Sequence, residues 1–253
     1  MRNIIILGSG RSGTSMVAGT LAKTSYFMGN NLIRGRDANP KGFFEDREIN
    51  KINDELLAQV LPKRLFFLGR SFFNDRPIDG QRWLARLPLN TSIPITQEFY
   101  ERIHQFTQKE PYCFKDPRFS YTLPVWRPHL KNIGFLCIFR EPGSTANSIL
   151  KECKTAPYLR NRISINFRQA IEVWTLMYSH ILEIHRHEGE WLFLHFNQVL
   201  NGEGIERLES FTEAPVDFSF PDPKLRRSSS NFSVPERTNE IYQLLCEAAE
   251  YKE

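Results

Sequence analysis

The stretch Ile4-Ile5-Ile6-Leu7-Gly8-Ser9-Gly10-Arg11-Ser12-Gly13-Thr14-Ser15 sets the fold class. Four apolar residues run straight into a glycine-rich turn, and a helix is expected directly after it. Glycines let backbone N–H groups approach an anion, and the start of a helix adds partial positive charge, so a strand, turn and helix in this order cradle phosphate. The spacing is that of G-x-x-x-x-G-K-[ST], with Thr14 where that pattern has its lysine. A nucleoside-triphosphate kinase needs the lysine on the transferred phosphate and a hydroxyl on magnesium. Here the cation lies upstream, at Arg11 inside the turn. An anionic ligand is implied, in an arrangement that departs from the kinases.

Outward from this segment, short apolar runs alternate with stretches of helical period. The clearest strand-like runs are Ile4–Leu7, Tyr112–Lys115, Ile133–Phe139 and Trp191–Phe196. Ile49, Ile52, Leu56, Leu57 and Val60 share one helical stripe ending before Pro62. Phe167, Ile171, Trp174, Tyr178, Ile181 and Leu182 share another, closed by Gly189. A last helix begins near Pro235, a good first-turn residue, and should bury Ile241, Leu244 and Leu245. This alternation predicts βαβ units and an α/β fold, three layers α/β/α around a central parallel sheet. The 253 residues suffice for a single domain spanning 1–253. Residues 62–111, rich in Arg, Pro and Phe with weak periodicity, read as an insertion over the carboxyl edge of the sheet, where such folds bind ligands.

Composition narrows the ligand. A net charge of +4, spread along the chain, argues against a nucleic-acid partner and is compatible with a small anion held at local clusters. Cys113, Cys137, Cys153 and Cys246 show no C-x-x-C spacing and read as buried thiols. His180, His185 and His187 fall on one long helix with no carboxylate or thiol to complete a metal set. The apolar run before Gly8 is too short for a signal peptide and no stretch reaches membrane-spanning length, so a cytoplasmic protein is expected.

The R-S-G-T-[ST] turn after the first strand resembles the 5′-phosphosulfate loop of sulfotransferases. That resemblance implies 3′-phosphoadenosine 5′-phosphosulfate as donor, held by Arg11, Ser12, Gly13, Thr14 and Ser15. A second segment is similar to the family's 3′-phosphate site, an Arg at a strand end and a Ser eight residues later on the next helix. Arg140 and Ser148 have that spacing. An Arg offers a phosphate a charge-assisted fork, and a helix start beside it favours the same anion. Trp191 to Leu200 looks like the family's late strand, but Asn197 and Gln198 stand where an acidic pair is common, so no site is assigned there. Lys224-Leu225-Arg226-Arg227 resembles a basic segment that closes over the 3′-phosphate; Arg226 and Arg227 are either ligands or part of a solvated basic loop. The likeness covers nearly the whole chain, residues 62–111 matching least.

Sulfuryl transfer is mostly positioning and electrostatics, so cations must converge on the transferred group and a base must take the acceptor's proton. No metal is obligatory, because the sulfuryl group carries less charge than a phosphoryl group. For the base, Glu45 in Gly42-Phe43-Phe44-Glu45-Asp46 resembles the catalytic glutamate of several family branches, and the two phenylalanines could desolvate it. The alternative is that Asp46 caps the next helix and Glu45 is a solvated neighbour. Branches with a histidine base carry it where this chain has Lys115-Asp116-Pro117-Arg118; by resemblance Lys115 contacts the phosphosulfate beside Arg11, while either Asp116 orients Lys115 or Arg118 and Arg118 holds acceptor or cofactor, or the two form an internal ion pair in a structural turn. The acceptor would be a hydroxyl or amine of a carbohydrate or small molecule. Phe66, Phe67, Phe72, Phe73 and Trp83 could stack on it or fill core, and Arg34-Gly35-Arg36 could meet an acidic one. A small-metabolite kinase and a non-catalytic nucleotide-binding protein are the competing readings.

Overall fold

The computed structural model describes residues 1–36, 39–68, 70–223 and 233–252. Strand β1 (Asn3–Leu7) passes through the glycine turn into helix α1 (Thr14–Leu21), and α2 (Arg47–Ala58) follows. An antiparallel hairpin of β2 (Leu65–Phe67) and β3 (Arg70–Phe72) and helix α3 (Gln97–Thr107) precede β4 (Cys113–Lys115). Helix α4 (Phe119–Trp126) leads to β5 (Ile133–Phe139), and α5 (Pro142–Thr155) and α6 (Phe167–Ser179) lead to β6 (Glu190–His195). Helices α7 (Phe196–Leu200), α8 (Glu203–Thr212) and α9 (Glu236–Ala248) come after.

Among the described residues four parallel strands form the central sheet, in the order β4-β1-β5-β6. Successive side chains of a strand point to opposite faces, so a fully apolar strand needs a helical layer on each side. Ile5 and Leu7 pack with Ile52, Leu56, Trp126, Trp174 and Ile241 of α2, α4, α6 and α9. Ile4 and Ile6 pack with Val17 and Leu21 of α1 and Ile205 and Leu208 of α8. These are the three layers expected. From β1 the chain reaches β4 on one side, then crosses to β5 on the other. The direction of winding reverses at β1, and in open α/β sheets that reversal opens a crevice at the carboxyl ends of the strands.

Several local expectations need correction. The stripe continuing past Tyr178 does not extend α6: the chain turns through a wider helical segment, His180–His185, in which Arg186 N–H reaches back to the Ile181 carbonyl at 2.9 Å. Leu244 faces solvent, because α9 docks through Ile241 and Leu245 alone of that trio. Phe66, Phe67, Phe72 and Phe73 fill no core; they stand exposed on the β2–β3 hairpin, while Trp83 alone of the five aromatics is buried. No helix among the described residues is long and apolar enough to cross a membrane.

Candidate active site

The glycine turn is fixed by its surroundings. Gly8 has φ 136°, and a Cβ there would lie 2.2 Å from the Ile138 carbonyl oxygen, so only glycine lets β1 and the turn lie this close to β5. Ser9 N–H donates to the Tyr178 hydroxyl at 3.1 Å, which donates to the Ile138 carbonyl at 2.7 Å. Gly13, at φ 97°, starts α1 without a side-chain cap, and a Cβ on it would lie 2.6 Å from the Phe196 ring. The first N–H groups of a helix lack intrahelical acceptors, which is what an anion site requires. Between these glycines Arg11 takes the left-handed region at φ 73°, a conformation that costs a non-glycine residue roughly 1 kcal/mol.

Arg11 connects the turn to α5. Its Nε donates to Ser148 Oγ at 3.1 Å, and its Nη1 lies 3.9 Å from Glu152 Oε2, one helical turn further along α5. Arg140 follows β5 directly, its backbone oxygen accepting from Trp174 Nε1 at 3.1 Å. Its guanidinium lies 4.7 Å from the centre of the Phe196 ring, the ring that also packs against Gly13. The start of α5 is not available to an anion: Glu141 caps it, accepting from Gly143 N at 2.7 Å and Ser144 N at 2.5 Å. Any anion beside this helix would therefore have to be met by side chains such as those of Arg140 and Ser148, not by the helix end.

Lys115, 3% exposed at the end of β4, reaches both halves of the crevice. Its Nζ donates to Ser15 Oγ at 3.1 Å and forms an ion pair with Glu45 Oε1. The other oxygen of Glu45 accepts from Asn50 Nδ2 at 2.7 Å. Of the alternatives weighed for the neighbouring carboxylates, the cap at Asp46 is present and the solvated Glu45 is not. Asp46 caps α2, accepting from Glu48 N and Ile49 N at 2.8 and 3.2 Å, and Glu45 points inward and is 9% exposed. Phe43 lines the crevice beside it, whereas the Phe44 ring turns away to pack edge-on against Phe220.

Asp116 and Arg118 form the internal ion pair, at 3.1 Å. Both are buried, and Asp116 also accepts from Arg118 N at 2.9 Å and from Asn53 Nδ2 at 3.0 Å. Burial raises the Asp116 pKa, against the opposing pull of Arg118. Arg118 Nε lies 3.2 Å from Asp54 Oδ1, and Asp54 is paired in turn with Arg82.

One cavity of about 570 Å³ runs through the crevice, a volume suited to a drug-sized or cofactor-sized ligand. Arg11, Gly13, Thr14, Ser15, Glu45, Lys115, Arg140 and Ser148 all line it. Ser12 is buried behind the turn, and Arg226 and Arg227 lie outside the described residues. Asn50, Asp54 and Phe196 also form the wall and were not singled out from sequence, and Trp83, read there as an acceptor contact or core, is buried and lines the wall too. On α2, Arg47, Asn50, Lys51 and Asp54 recur at helical spacing on one face, a pattern that a solvated helix surface shares. Phe196 carried no signal, being one more aromatic at the end of an apolar run. His180 and His185 are used structurally, with Nε2 atoms 3.0 Å from the Leu87 carbonyl and 3.1 Å from the Ser120 carbonyl. Among the described residues no group of His, Cys, Asp or Glu is arranged to hold a metal ion.

Comparison with solved structures identifies the architecture. The sulfotransferase domain of the Synechococcus PCC 7002 olefin synthase superposes with a TM-score of 0.54 at 14% identity, covering 96% of this chain and 94% of that one. The sulfotransferase domain from the curacin biosynthetic pathway gives 0.54 at 15% identity, covering 100% and 99%. The fold is that of sulfotransferase domains. No protein-family model matches the sequence, and no curated protein matches it.

Proposed function

We propose that the chain is a sulfotransferase that moves a sulfuryl group from 3′-phosphoadenosine 5′-phosphosulfate to a hydroxyl or amine of a carbohydrate or small molecule. The observation that carries this reading is the 3.1 Å hydrogen bond from Arg11 Nε to Ser148 Oγ. It makes the phosphate turn and the Arg140–Ser148 site neighbours in one cavity, as a nucleotide with an anion at each end requires. The donor fits the uncapped start of α1 at Gly13 and the cations Arg11, Lys115 and Arg140.

In the transfer, the acceptor's oxygen or nitrogen bonds to sulfur, the bond from sulfur to the bridging phosphate oxygen breaks, and adenosine 3′,5′-bisphosphate departs. Glu45 takes the acceptor's proton. Lys115 stands between Ser15 and Glu45, so an anion entering on the Ser15 side draws the ammonium toward itself and frees the carboxylate. Lys115 then stabilises the charge that develops on the leaving oxygen.

The kinase alternative meets a specific obstacle. Asp116 occupies the strand-end position from which a kinase would hold magnesium, but both its oxygens are committed to Arg118 and Asn53. Thermal unfolding separates the two. Adenosine 3′,5′-bisphosphate without metal, at about 100 times its dissociation constant, should stabilise the protein by roughly 2.7 kcal/mol. A response to ATP with magnesium and none to the bisphosphate would overturn the reading. Labelled-sulfate transfer to an acceptor library separates an enzyme from a passive nucleotide binder.

A further inference from the structure

We infer that the acceptor carries an anionic group of its own, a carboxylate or a phosphate ester, bound by Arg47 and Lys51 at the mouth of the cavity; this rests on the sulfuryl-transfer reading above. Helix α2 has two faces. Ile49, Ile52 and Leu56 are buried, while Arg47, Asn50, Lys51 and Asp54, at i, i+3, i+4 and i+7, line the cavity. A chain of contacts orders that cavity: Ser15 Oγ at the start of α1, Lys115 Nζ, Glu45, then Asn50 Nδ2 on α2. The donor's anion belongs at the α1 end, so the acceptor must lie toward α2, where its hydroxyl can meet Glu45.

The charges along the wall are unevenly matched. Each carboxylate has a cation within 4 Å: Glu45 has Lys115, Asp54 has Arg118 at 3.2 Å, Asp79 has Arg82 at 3.8 Å, Glu152 has Arg11 at 3.9 Å and Asp222 has Lys41 at 3.7 Å. Among the described residues Arg47 has no carboxylate within 4 Å, and Lys51 has only Glu55, one turn away at 3.9 Å. An exposed pair of that kind is worth only about 0.3–0.5 kcal/mol and yields readily to a better partner. Arg36, 5.1 Å from the Tyr158 ring centre, adds a third lining cation with no carboxylate of its own among the described residues. The surplus does not serve the start of α2, which Asp46 already caps. A cavity with low-dielectric walls focuses such a surplus on what enters it.

The test uses protein saturated with adenosine 3′,5′-bisphosphate and two scaffolds, each in neutral, carboxylate and phosphate form. These are glucose, glucuronate and glucose 6-phosphate, and 4-hydroxybenzamide, 4-hydroxybenzoate and 4-hydroxyphenyl phosphate. Calorimetric titration should show at least one charged member binding about tenfold or more tightly than its neutral partner, an advantage that shrinks with added salt. Comparing the carboxylate and phosphate arms tells which anion is preferred. The double variant Arg47→Ala, Lys51→Ala should lose that advantage, its stabilisation by the bisphosphate serving as the control for folding. Equal binding of neutral and charged members, binding of none, or a preference that survives in the double variant would overturn the inference while leaving the donor site standing. Failure of the bisphosphate to stabilise the unmodified protein would instead remove the sulfuryl-transfer reading, and the inference with it.

Discussion

Glu45 and Lys115 hold each other in a buried pair, with Ser15 on one flank and Asn50 on the other. Glu45→Gln keeps the shape and one of the two acceptor oxygens but removes the proposed proton acceptor. It should lower kcat by about a hundredfold, the usual contribution of a general base. Titration with adenosine 3′,5′-bisphosphate should meanwhile be changed less than about twofold, because Glu45 lies on the acceptor side of Lys115. Full activity in this variant at neutral pH would remove Glu45 from the chemistry. Arg140→Ala should act on binding. A charge-assisted hydrogen bond is worth roughly 1.5–3 kcal/mol, so affinity for the bisphosphate should fall by about ten- to a hundredfold. Affinity for adenosine 5′-phosphate, which has no 3′-phosphate, should barely change. Equal losses for both nucleotides would place Arg140 elsewhere.

At the scale of elements, apolar periodicity was legible and the other faces were not. The stripe Ile49, Ile52, Leu56 announces α2 because burying it is what makes the helix form. Its polar face has the same spacing as any solvated helix surface, and only packing against α4 turns Asn53 and Asp54 inward. There Asp54 and Asp116 both pair with Arg118, and Asp54 also pairs with Arg82. Asp54→Ala should therefore cost about 3 kcal/mol, since it removes the buried partner of Arg82 and leaves Arg118 with Asp116 alone, and chemical denaturation should show it. The β2–β3 hairpin gives the contrasting case. Its phenylalanines promised core or acceptor contacts, yet Phe66 and Phe67 are 66% and 67% exposed. Phe66→Ser with Phe67→Ser should shift unfolding by only about 0.5 kcal/mol or less per site and leave bisphosphate affinity unchanged.

For the whole molecule, the strands could be read because each is a short apolar run, but their order could not. Pairing β1 with both β4 and β5 is a long-range choice, and it alone brings Lys115, Arg140 and the glycine turn to one rim. The spacing of Arg140 and Ser148 suggested a phosphate site without showing that Glu141 would claim the start of α5. The same packing fixes a property of the whole fold. His185 lies buried between α6 and α4, its Nε2 3.1 Å from the Ser120 carbonyl, and burial pushes its pKa down to about 3. Burial lowers His180 as well. In the unfolded chain both histidines titrate near pH ~6.5. Above that pH neither state binds the proton, and stability is at its full value. Below it the unfolded chain takes up protons that the fold refuses, so stability declines as pH falls, for His185 down toward about pH 3 and by up to roughly 1.4 kcal/mol per pH unit. Urea unfolding should therefore be flat between about pH 7 and 8, and His185 alone should remove about 2 kcal/mol between pH 7 and pH 5. The raised pKa of Asp116 works in the opposite direction, but it is common to the protein and its histidine variants and cancels between them. His185→Gln, which retains a hydrogen-bond donor and binds no proton, should lose that share of the decline. An unchanged pH dependence in the variant would mean that His185 takes up its proton inside the fold.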